Sequence, residues 1–206
     1  MPSQNPLSAF ALEYTASIKS LEATRSKVEG LLLRNEVTIE DVEQVYAGLF
    51  LNAFTEFEAL IEDVFLSILE GTHASTIPST KRRIEIIPNS LTREVLFEGR
   101  KYLDWLPLDK TTERAARFLN KGEPFSKLEE KEKFLINRLH NIRNAVVHKS
   151  DSAKKKFEVC IQHFSLLQKE KTPTGFLRSK PQGPSGLNQY QISVVELEAI
   201  VRKLCA

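Results

Sequence analysis

The stretch at residues 41–70, DVEQVYAGLF LNAFTEFEAL IEDVFLSILE, decides the fold. Val42, Val45, Tyr46, Leu49, Ala53, Phe57, Leu60, Ile61, Val64 and Ile68 recur with the period that keeps side chains on one face of an α-helix. Leu51, Phe54, Phe65 and Leu66 widen that face beyond a single stripe. A helix apolar on more than one side lies at the centre of a bundle or is covered by a second subunit. Thr38 with Asp41 forms a weakened capping box at its start, and Gly71 ends it.

Upstream, Leu12, Ile18, Leu21, Val28, Leu31 and Leu32 predict a second long helix over 8–33, broken by RNEVT at 34–38. Downstream, helices are expected over 92–105 (stopped by Pro107), 110–120, 128–148, 152–169 and 193–204. THASTIPST at 72–80 and the Gly- and Pro-rich 171–190 segment read as loops. KRRIEIIPNS at 81–90 fits either a short strand, through Ile84 and Ile86, or a helical turn. The expected fold is all-α: an antiparallel helical bundle over 1–206, one domain, with two long central helices and a long loop before the last helix.

The composition, 41% hydrophobic and 27% charged, is that of an ordinary globular chain. A net charge of +2, from 29 basic and 27 acidic residues, excludes a protein held on nucleic acid by bulk charge but permits a local basic site. Cys160 and Cys205 have no metal-ligand spacing and fit a reduced, cytoplasmic protein. The N-terminus MPSQNPLSAFALEY lacks the basic region of a signal peptide, and no apolar run reaches the roughly eighteen residues of a membrane span. No cluster of Asp, Glu, His or Cys suggests a metal, and no glycine-rich phosphate loop suggests a cofactor.

Chemistry concentrates in IRNAVVHKS at 142–150. On the 128–148 helix, Leu128, Leu135, Leu139, Ile142 and Val146 share an apolar sector. Asn137, Asn141, Asn144 and His148 form a polar seam on the other side, with Arg143 flanking it by about 100°. Asparagine is a mediocre helix former, so three in one seam suggest a covered face that needs hydrogen bonds. Two readings fit. In one, Asn144, His148 and Lys149 merely finish the helix, where cations favour the dipole. In the other, His148 sits at a phosphodiester beside Arg143. Imidazole suits proton transfer near neutral pH, and an arginine fork holds phosphate oxygens. RNA brings its own nucleophile, the 2′-hydroxyl. One Arg and one His make a sparse site, which two copies about a twofold axis would complete.

RNAVVH, residues 143–148, resembles the R-x4-6-H motif, in its R-N-x-x-x-H form, of the HEPN superfamily of helical ribonucleases and nucleic-acid-associated proteins. LNAFTEFEALIEDVF at 51–65 is similar to the helix preceding that motif in RiboL-PSP-type HEPN domains. The resemblance implies a metal-independent endoribonuclease that works as a homodimer and leaves a 2′,3′-cyclic phosphate. It implies catalytic roles for Arg143 and His148, and for Asn144 a role in orienting them or holding the helices. It further implies an RNA substrate, no cofactor, and a toxin–antitoxin or antiviral-defence setting with an antitoxin or defence partner. Other members lack nuclease activity and act as binding or adaptor modules, which is the alternative for this chain.

Weaker candidates surround this core. Glu56, Glu58 and Glu62 either orient Arg143 or form a solvated face. TKRR at 80–83, Lys154 to Lys156 and LRSK around Arg178 are candidate RNA-backbone contacts. Tyr102 and Trp105 are either base-stacking or core residues, and His140 reads as a surface or interface histidine.

Overall fold

The computed structural model describes residues 6–72, 81–84, 89–181 and 186–206. The chain is an all-helical bundle: α1 (Pro6–Leu33), α2 (Ile39–Glu70), α3 (Thr92–Phe97), α4 (Leu108–Phe118), α5 (Glu130–Val147), α6 (Asp151–Ile161), α7 (Pro173–Arg178) and α8 (Gln189–Leu204). A single bridge between Arg82 and Leu119 is the sole strand-type pairing among the described residues. Residues 73–80 of the expected loop, with Thr80 of TKRR, and Ile86 lie outside them.

By contacts the chain divides into two compact units. The first comprises Met1–Tyr14, Phe57–Asn137 and Glu198–Ala206; the second comprises Thr15–Glu56 and Arg138–Leu197.

In the first unit, Val64 to Leu69 are consecutively buried. The wide apolar surface read at the end of α2 is thus enclosed by its own chain. The Phe65 ring is the hub, with Trp105 at 5.2 Å, Phe125 at 5.8 Å and Phe118 at 6.4 Å between centroids. Burying each such ring contributes about 2–3 kcal/mol. The Trp105 indole N–H donates to Glu62 Oε2 at 2.8 Å, while Arg93 donates to Oε1 at 3.1 Å. The helix expected to reach 105 stops at Phe97. Glu98 (φ 50°) and Gly99 (φ 76°) take left-handed conformations that terminate it. The following non-helical segment instead buries Leu103, Trp105 and Leu106.

In the second unit, Tyr46, Phe50, Ala53 and Phe54 of α2 are buried, and Tyr46 meets Tyr190 edge-on at 5.7 Å. At the start of α2 the box read from sequence is present: Thr38 N–H donates to Asp41 Oδ2 at 2.9 Å, and Asp41 N–H donates to Thr38 Oγ1 at 3.2 Å. Helix α6 ends at Ile161 rather than 169, because Phe164 turns in against Phe176, 5.2 Å away. The segment expected as loop contains α7. Thr172 caps it by accepting from Gly175 N–H at 3.0 Å, and Pro173 fills its first position. Helix α8 begins at Gln189, a turn earlier than expected, with Asn188 and Gln191 as a reciprocal capping box.

Candidate active site at the end of helix α5

Helix α5 turns Leu135, Leu139 and Ile142 into the core, the sector its periodicity indicates. The opposite face is less uniform than the asparagine spacing suggests. Asn137 accepts the backbone N–H of Leu108 at 2.8 Å, and Asn141 lies beside the half-buried Cys160 thiol, which donates to the Arg138 carbonyl at 3.8 Å. Asn137 is thus engaged and Asn141 packs beside Cys160, so the polar seam narrows to its last two members.

Asn144 holds the centre of what remains. Its Oδ1 accepts from Arg143 Nη1 at 3.1 Å, and its Nδ2 donates to His140 Nε2 at 3.1 Å. Arginine only donates, which fixes the amide orientation and leaves His140 in its Nδ1–H tautomer. The His140 ring stacks on Phe54, centroids 6.4 Å apart and 23° between planes. The Asn144 backbone carbonyl also accepts the His148 N–H at 2.8 Å. His148 lies one residue past the end of α5 and is exposed. Its ring makes no hydrogen bond among the described residues. Arg143 is half-buried and therefore restrained in direction.

His140, expected as a surface or interface histidine, instead holds Asn144; the signal for this is its position four residues before Asn144, the spacing at which helical side chains meet. Several other candidates have different uses. Arg178 is bidentate to Glu29 at 3.0 and 3.1 Å, an internal pair rather than an RNA contact. Arg82 and Arg83 donate to the carbonyls of Leu69 and Ala116, at 3.4 and 3.1 Å. Glu62 serves Trp105 and Arg93; Glu56 and Glu58 are half-buried. Lys154, Lys155 and Lys156 stand exposed on α6. Trp105 is a core residue, 2% exposed, whereas Tyr102 is 76% exposed.

Among the described residues no three His, Cys, Asp or Glu side chains are grouped to hold a metal ion, and no helix is long and apolar enough to cross a membrane. No family model, curated protein or solved structure matches the chain.

Proposed function

We propose that the chain is a metal-independent endoribonuclease of HEPN type, acting as a cytoplasmic homodimer with Arg143 and His148 as its catalytic residues. The observation that carries this reading is the double grip of Asn144. Its side chain orients the Arg143 guanidinium, and its backbone carbonyl ties down the residue bearing the exposed imidazole. The backbone bond is an ordinary helical one, so the specific element is the amide on Arg143. Such restraint counts because a misplacement of about 1 Å can cost about a hundredfold in rate.

In the proposed reaction His148 removes the 2′-hydroxyl proton as the 2′-oxygen attacks the adjacent phosphorus. The P–O5′ bond breaks, leaving a 2′,3′-cyclic phosphate and a 5′-hydroxyl. The leaving oxygen takes its proton from a general acid, a role the same histidine of a second copy would fill. Arg143 meets the charge that builds on the nonbridging oxygens. Toxin–antitoxin or antiviral-defence biology, with a partner protein that restrains the nuclease, is the setting that fits such an activity.

The test is cleavage of RNA in EDTA by the parent, Arg143→Ala and His148→Ala proteins. Loss of cutting in both variants, with unchanged folding and cyclic-phosphate product from the parent, supports the proposal. A His148→Ala protein that cuts as fast as the parent would sink it. A parent that cuts no RNA, with His148→Ala weakening self-association on gel filtration, would identify the adaptor alternative. Mixing Arg143→Ala with His148→Ala subunits should restore part of the activity if the site combines groups from two copies.

A further inference from the structure

A second constellation lies in the first unit, on α4 and the segment that precedes it. A cleft of about 420 Å³ is lined by Arg100, Lys101, Tyr102, Asp104, Lys110 and Arg114, four cations around one carboxylate. That carboxylate is already engaged, since Asp104 pairs with Lys110 at 2.7 Å. Lys101 has no acidic partner within 4 Å among the described residues. A smaller cleft of about 150 Å³ shares Arg100, Lys110 and Arg114 and adds Arg117 together with Glu98 and Glu113, Glu98 pairing with Arg100 at 3.5 Å. Across the two clefts five cations face three carboxylates, a local excess of positive charge in a chain whose net charge is only +2.

One of the groups is set in place before any ligand arrives. Arg114 lies over the buried Trp105 ring, 5.2 Å from its centroid, and donates to the Asp104 carbonyl. Burial pulls this guanidinium below its ordinary value, so an incoming anion would relieve an electrostatic cost. Tyr102 stands at the rim with 76% of its surface open, on backbone that is not helical. Phosphate alone needs no aromatic face, and an acidic peptide uses one only where it carries an aromatic side chain, whereas every nucleotide brings a flat base. A cationic cleft with an open aromatic ring at its edge matches a strand that carries both phosphate and unpaired bases.

We propose that this cleft is a subsite for single-stranded RNA, in which Tyr102 stacks on an unpaired base while Arg100, Lys101 and Arg114 hold the flanking phosphates. It extends the ribonuclease reading by a binding subsite, but its test asks nothing of the cleavage chemistry.

The probe is a short single-stranded oligonucleotide with 2′-O-methyl sugars, which cannot be cut by 2′-hydroxyl attack. Binding to the full chain is followed by anisotropy and by emission of Trp105, the only tryptophan, which sits under Arg114. Tyr102→Ala should weaken binding roughly tenfold while Tyr102→Phe retains it. Lys101→Glu should lower the slope of log affinity against log salt by about one or more. His148→Ala should bind as the parent does, so a failed nuclease assay leaves this result readable. The proposal is overturned if Tyr102→Ala binds like the parent, if the parent does not bind the oligonucleotide, or if polyglutamate competes for the cleft as well as the oligonucleotide does.

Discussion

The side-chain carbonyl of Asn137 accepts a 2.8 Å hydrogen bond from the backbone N–H of Leu108, capping one helix from another. Helix α4 needs this help, because the residue before it is Pro107, which has no side-chain acceptor to offer. Asn137→Ala should therefore lower stability by about 1 kcal/mol, within the range seen for lost helix caps. Asn137→Asp should keep the acceptor and most of the stability, since a carboxylate is favoured at a helix N-terminus. Urea denaturation of the three proteins checks this, and RNA cleavage should be equal in all of them.

The same asparagine marks where reading the sequence succeeds and where it stops. Periodicity places Leu135, Leu139 and Ile142 correctly in the core, because one face of one helix is a local property. It also groups Asn137, Asn141 and Asn144, but Asn137 bonds Leu108 and Asn141 lies beside Cys160, both from distant sequence, while only Asn144 pairs with its own neighbours, Arg143 and His140. Spacing along a helix carries no information about those partners. Leu103, Trp105 and Leu106 mislead in another way. The helix expected over 92–105 takes in the first two, whereas two left-handed residues, Glu98 and Gly99, end it and release all three into a non-helical, buried segment. The α7 turn was legible in principle, through Thr172 as cap and Pro173 at the first position, but the surrounding Gly and Pro residues outweighed that short signal.

The Glu29–Arg178 pair predicts an acid-dependent loss of stability. Burial alone would raise the Glu29 carboxyl, but hydrogen bonds from Arg178 and Tyr46 bring it below its ordinary value. The unfolded chain thus takes up this proton more readily than the folded one. The stabilisation is complete above the ordinary carboxylate value and fades as pH falls through the lower folded value. Arg178→Ala should cost about 2 kcal/mol at neutral pH, as expected for a charged hydrogen bond lost from a half-buried carboxylate. It should also flatten the acid limb of a melting-temperature profile. An acid limb identical to the parent's would refute the assignment.

Tyr46 shapes part of the alkaline side, alongside the Tyr190 phenol, which burial also raises. Burial pushes its phenol up to about 12, with Glu29 adding to that push and Arg25 opposing it. Between the ordinary value of 10.0 and about 12 the folded protein keeps a proton that the unfolded chain has released. Stability is therefore full below that window and declines as pH rises through it. Tyr46→Phe should remove this part of the decline. At neutral pH it should also destabilise the fold by about 1–3 kcal/mol, because it strands the Asn188 amide that donates to the Tyr46 hydroxyl at 2.8 Å. Absorbance titration of the phenols, alongside thermal melts from pH 8 to about 11, reads both effects.

Cys205 should be chemically silent in the folded protein. It is 3% exposed, and burial pushes its thiol up to about 12, against a hydrogen bond with the Ala11 backbone. Since the thiolate is the reactive form, iodoacetamide at pH 8 should leave Cys205 unmodified until the protein is denatured. Mass spectrometry of the digested protein locates the label. Modification of Cys205 under native conditions would show that the C-terminal turn opens readily.

His140 provides the sharpest test of how Asn144 acts. If the amide positions Arg143, the histidine on its far side matters because it holds the amide, without touching RNA itself. His140→Phe keeps a ring against Phe54 but removes the acceptor for Asn144 Nδ2. Cleavage should fall roughly tenfold with little change in stability, while Asn144→Ala, which frees Arg143 directly, should cost roughly a hundredfold. Both losses should appear in kcat more than in KM, since a mispositioned guanidinium weakens transition-state contacts more than ground-state binding. His140→Gln offers a side-chain carbonyl near the lost nitrogen and should recover part of the rate. Equal losses in His140→Phe and His140→Gln, accompanied by a lowered melting temperature, would reduce the His140–Asn144 bond to a packing contact.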